Sequence, residues 1–160
     1  MKRLLVTLAI VLPLSISVFG QPGTPLKTGQ ATFVWGGAPV DYARVSGSMM
    51  QSGGYTVVSI QFSKDGNPAS DRLGIALMIQ KPGPVDLNQP MGNGIDYRIA
   101  GTFYSYQKGK SQCTLTVTKL TATSVEGTAE CPVVNEQGGS KTSSLTGVKF
   151  FATTAVGGVS

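Results

Sequence analysis

The chain contains no histidine. That absence excludes a Ser-His-Asp triad, an imidazole general base and the commonest protein metal ligand. Cysteine is limited to two residues and tryptophan to one. Two thiols without an imidazole make a poor metal site, and no C-x-x-C pair is present to act as a redox couple. Charged residues are also scarce, at 13%. Beyond Lys2 and Arg3 the cations are spread singly, Lys108 and Lys110 being the closest group, so the clustered Lys/Arg of a nucleic-acid binder is missing and no nucleic-acid partner is expected. No cofactor, metal site or catalytic residue is expected either.

Long apolar runs are absent except at the start. Met1, Lys2 and Arg3 precede the uncharged residues 4–19, with Pro13 inside the run. A membrane span needs about 20 apolar residues, so a cleaved signal peptide over residues 1–20 fits better than an anchor, with the cut after Gly20. No stable membrane insertion is expected after cleavage, and the mature protein is expected in the periplasm or outside the cell. Losing Lys2 and Arg3 leaves eleven cations against eight carboxylates.

What is abundant is turn chemistry, with 21 Gly and nine Pro among 160 residues. These punctuate short β-branched or apolar runs, and no stretch shows a convincing 3.6-residue period. Strands are expected near Ala31–Trp35, Val40–Ser48, Tyr55–Ser63, Arg72–Gln80, Ile95–Tyr106, Gln112–Leu120, Ser124–Val133 and Leu145–Thr153. The fold class that follows is all-β, an antiparallel β-sandwich or flattened barrel of about eight strands. Residues 21–29 read as a flexible lead, 30–153 as a single domain and 154–160 as a frayed tail.

Alternation identifies the buried faces. Leu73, Ile75, Leu77 and Ile79 fall on one side of their strand, and Val58, Ile60 and Phe62 on one side of theirs. Between Gln112 and Val133, a turn at residues 121–123 sets Cys113 opposite Cys131, Leu115 opposite Ala129 and Val117 opposite Gly127. One register satisfies both the apolar alternation and the Cα separation of about 4.4–6.8 Å that a disulfide requires. A structural Cys113–Cys131 bond is therefore expected, in an oxidising compartment. Buried, reduced cysteines are the alternative.

The run TLTVTKLTATSVEGTAEC, a polar loop, LTGVKFFAT and the Lys81-Pro82-Gly83-Pro84 turn before Tyr97 resemble the C-terminal half of small bacterial exported envelope proteins of unknown function. Many of those are lipoproteins. This chain lacks their lipid-acceptor Cys, so tethering does not carry over. The resemblance implies an exported β-sandwich and transfers no catalytic residue.

Chemical motifs are weak. Ser105 and Lys108 fit S-x-x-K and Lys27-Thr28-Gly29 fits K-T-G, but Ser105 lies in an expected strand and the two motifs run in the wrong order. Asp65, Asn67 and Asp71 space oxygens like part of a calcium loop without its glutamate, and read better as a hairpin turn. Asp41, Asp65, Asp71, Asp86 and Asp96 fall in or beside expected turns, and no spacing pairs two of them for hydrolysis. Tyr104 and Tyr106 share the parity of Arg98, Lys108 and Lys110 if their strand is continuous. One face would then carry two rings beside a basic edge, a surface able to stack sugars; tyrosines that merely cover half-buried sheet are the simpler account. Trp35, on the same face as Phe33, reads as core. The function expected is an exported, non-enzymatic protein presenting a β-surface to a protein or glycan partner. A carbohydrate-binding module on Tyr104 and Tyr106 is the alternative, and a small Asp-dependent hydrolase a third possibility.

Overall fold

Apolar and polar residues alternate along most of the chain, and the backbone pairs edge to edge accordingly. The computed structural model describes residues 23–67, 70–89 and 92–155. The expected signal peptide and its cleavage junction lie outside the described residues, as do residues 156–160 of the expected tail. Among the described residues there are twelve strands and no helix: β1 (Thr24–Pro25), β2 (Thr28–Trp35), β3 (Ala38–Tyr42), β4 (Arg44–Ser52), β5 (Tyr55–Ser63), β6 (Arg72–Ile79), β7 (Gly83–Pro84), β8 (Gly94–Ile99), β9 (Thr102–Ser105), β10 (Gln112–Leu120), β11 (Ser124–Glu136) and β12 (Thr142–Thr153).

Every pairing is antiparallel, in the order β1-β4-β5-β6-β8-β9-β11-β12-β2-β3. β10 lies beside β11, and β7 beside β10. The sheet curls without closing. One N-terminal stretch serves both of its ends, because β1 pairs with β4 whereas β2 pairs with β12. At the corner between them, Leu26 N–H donates to Gly47 O at 3.0 Å and Lys27 N–H to Thr153 O at 2.8 Å. The expected sandwich or flattened-barrel class holds. The expected flexible lead does not hold for residues 24–29: tertiary pairing fixes a Thr/Pro/Gly segment that has no strand pattern of its own.

The concave side is filled by the alternating residues. Val58, Ile60, Phe62, Leu73, Ile75, Leu77, Leu115, Val117 and Cys131 are all at most 2% exposed and belong to one continuous apolar cluster. Burying side chains of this size contributes about 1.5–3 kcal/mol each.

Two expected strands are each two. The segment 40–48 breaks at Ala43, between β3 and β4. The segment 95–106 is a hairpin whose central residues, Ala100 and Gly101, have φ of 47° and 83°. Positive φ at both positions is the turn that matches strand twist in a two-residue connection. The cysteine hairpin forms as expected, with Leu115 opposite Ala129, Val117 opposite Gly127 and a Cys113–Cys131 disulfide.

Candidate functional site

The Ala100–Gly101 turn decides which residues share a surface. Across it Tyr97 faces Tyr104, and Arg98 faces Phe103. Tyr104 and Tyr106 therefore point to the core side, half-buried against the apolar cluster. The expected face carrying both tyrosines with Arg98 does not exist, because the turn reverses the parity on which it depended. Tyr104 packs against Trp35 with ring centroids 4.9 Å apart, and Trp35 against Tyr97 at 4.5 Å. The Tyr106 hydroxyl donates to Asn88 Oδ1 at 2.6 Å. Lys108 and Lys110 are exposed in the turn where Gln107 O accepts from Lys110 N–H and Ser111 N–H.

The opposite side of the same strands holds a different set. Reading the registers laterally, Arg44 faces Ser63, Ser63 faces Arg72, Arg72 faces Arg98 and Arg98 faces Phe103. The described residues contain three arginines, and all three lie in this one row across β4, β6 and β8. The guanidinium carbons of Arg72 and Arg98 sit 5.5 and 5.2 Å from the centroid of the Phe103 ring. Each such contact contributes about 0.5–1 kcal/mol at a partly exposed site, and the shared ring holds two like charges side by side.

The next row is Ser46, Gln61, Gly74, Asp96, Ser105 and Asn135. Beyond it stand Ser48, Ser59, Ala76 and Gly94. Small residues leave the centre of this face low. A Cβ on Gly74 would overlap the Asp96 carboxylate, so the carboxylate occupies the space that the glycine leaves. Burial pushes the Asp96 pKa up, and the charge of Arg72 opposes that shift. Asp41 lies near the end of β3, beside the break at Ala43, whereas Asp96 stands in mid-strand β8, so the expectation that all five aspartates fall in or beside turns fails for Asp96.

The other aspartates serve local structure. Asp65 accepts from Asn67 N–H and from the Ser70 hydroxyl, both at 2.9 Å, and these bonds hold its pKa low. Asp71 Oδ1 accepts from Ala100 N–H at 2.7 Å, and Asp86 Oδ1 from Asn88 N–H at 2.9 Å. No group of three or more potential metal ligands occurs among the described residues.

Of the surface concavities among the described residues, three bear on the choice of face. Two, of about 320 and 400 Å³, flank Lys149 on β12. Their charges are mixed: Glu126 lines one and Asp41 the other, each together with Lys149. A smaller one of about 190 Å³ opens beside Arg72 and is lined by Ser46, Gln61, Ser63, Gly66 and Asn67. Every lining residue there is polar or glycine. The sequence carried the three arginines in view, but only the β4–β9 registers place them in one row.

Comparison with protein-family models, curated proteins and solved structures finds no match to this chain.

Proposed function

We propose that this chain is an exported, non-enzymatic binding protein that presents the outer face of β4, β5, β6, β8 and β9 to a negatively charged partner in the bacterial envelope or outside the cell. The single observation that carries this reading is the row of Arg44, Arg72 and Arg98 beside Phe103. Guanidinium groups offer planar, paired donors to carboxylates, sulfates and phosphates, and an ordered row gives them a fixed spacing. Neighbouring strands lie about 4.8 Å apart, so Arg72 and Arg98 stand one strand apart and Arg44 and Arg72 two, and anionic groups of an extended ligand at those two intervals can meet all three. The disulfide fits an oxidising compartment, in agreement with the export expected from residues 1–20 and with the resemblance to exported envelope proteins.

Surface plasmon resonance of the oxidised protein against polygalacturonate, heparin and neutral dextran tests the reading. Binding to an acidic polymer, weakened about tenfold in Arg44→Gln/Arg98→Gln and retained in Lys149→Gln, is expected. Equal binding by both variants contradicts it.

A neutral-glycan module on Tyr104, Tyr106 and Trp35 is the second reading, favoured by the half-buried aromatic corner that Trp35 and Tyr104 form. Dextran binding lost in Tyr104→Ala and unaffected by Arg98→Gln would select it.

A further inference from the structure

We infer that the cavity beside Arg72 is a subsite for one oxyanion group, a carboxylate, sulfate or phosphate carried on a larger ligand. This deepens the reading of the arginine face and rests on it. The volume of about 190 Å³ falls below the roughly 300–1,000 Å³ of pockets that enclose whole small molecules, so the cavity suits a group. Its lining supplies a guanidinium from Arg72, hydroxyls from Ser46 and Ser63 and amides from Gln61 and Asn67, with no apolar side chain.

The hydroxyl of Ser63 is pre-oriented. Ser63 is 8% exposed, and its oxygen is fixed by the Gly66 N–H that it accepts at 3.0 Å. That hydroxyl stands in the arginine row, between Arg44 and Arg72. A donor held in this way costs little to order when an acceptor arrives, which is what fixed oxyanion recognition requires. The surrounding charges are Arg44, Lys64 and Arg98 on one side and Asp65, Asp71 and Asp96 on the other. Two of the acids are already engaged: Asp65 by Asn67 N–H and Ser70, and Asp71 by Ala100 N–H. Asp96 stands in the adjacent row, opposite Gly74, close enough for the charge of Arg72 to act on it, so an incoming oxyanion shares that guanidinium with it.

The test is a ¹⁵N-resolved titration of the oxidised protein with sodium sulfate, inorganic phosphate and glucuronate, using chloride at matched ionic strength as control. Saturable shifts centred on Ser46, Gln61, Ser63 and Arg72 are expected, with affinity about tenfold weaker in Arg72→Gln. The ranking of the three anions identifies the group preferred. Asn67→Asp, on an exposed loop, places a carboxylate in the cavity and should abolish saturation even if Arg72→Gln does not fold. Shifts that fail to saturate, that centre on Lys149 or Lys108, or that persist in Asn67→Asp overturn the subsite. Saturation by free anions without Arg44/Arg98-dependent polymer binding would leave the subsite and sink the wider reading. The reverse pattern would sink the subsite alone.

Discussion

Ala100 holds a φ of 47° in a turn whose second residue is glycine. A side chain in that region is strained by roughly 1–2 kcal/mol, partly offset by the greater unfolded freedom of glycine. Ala100→Gly should therefore stabilise the protein by about 0.5–1 kcal/mol, read as a higher urea midpoint; a lower midpoint would contradict the turn. At Gly74 the direction reverses. An alanine methyl must displace the Asp96 carboxylate, so Gly74→Ala should cost about 1–3 kcal/mol, and Asp96→Ala should recover part of it in the double variant. Asp96 also sets a pH dependence. Its folded pKa is raised, so the folded state binds the proton more tightly than the unfolded state. Its contribution to stability is thus full below the ordinary carboxylate range and is lost as pH rises through the folded value. Asp96→Asn should flatten that fall in a denaturation series across pH; an unchanged slope would exclude Asp96 as its source.

At the scale of elements, the strands with strict alternation were legible to the residue. β5 and β10 begin and end where the pattern places them, and the cysteine register follows from the same rule. The break at Ala43 carries no Gly or Pro, and the Ala100–Gly101 turn lacks the Asn-Gly or Asp-Gly signal, so each pair of strands reads as one long strand. That one concealed turn misassigned Tyr104 and Tyr106 to the face of Arg98. The disulfide should contribute about 3 kcal/mol; Cys113→Ser/Cys131→Ser should lower stability by that order, and the unfolded wild type should show no titratable thiol without reductant. Between β3 and β8, the Tyr42 and Tyr97 hydroxyls meet at 2.9 Å in the core. Tyr97→Phe alone leaves a buried hydroxyl without its partner and should cost about 1–3 kcal/mol, whereas Tyr42→Phe/Tyr97→Phe should cost less than the sum of the single changes. Additive single changes would show that the pair is not coupled. Burial raises the pKa of both hydroxyls, so the folded state resists their ionisation and stability should decline above about pH 10.

For the whole molecule, composition and periodicity gave the all-β class and the inward residues but not the order of strands. No local signal tells that residues 24–35 serve both ends of one curled sheet, or that arginines on three separate strands fall in line. That alignment depends on lateral registers, which non-local pairing fixes. The chemistry of the surface is thus a property of the fold, and of no contiguous motif. Arginine-specific modification by phenylglyoxal, read residue by residue by mass spectrometry with and without polygalacturonate or heparin, tests it most directly. Joint protection of Arg44, Arg72 and Arg98 by the polymer is the predicted result. Unchanged modification of all three while the polymer is bound, or no binding of either polymer, would contradict it.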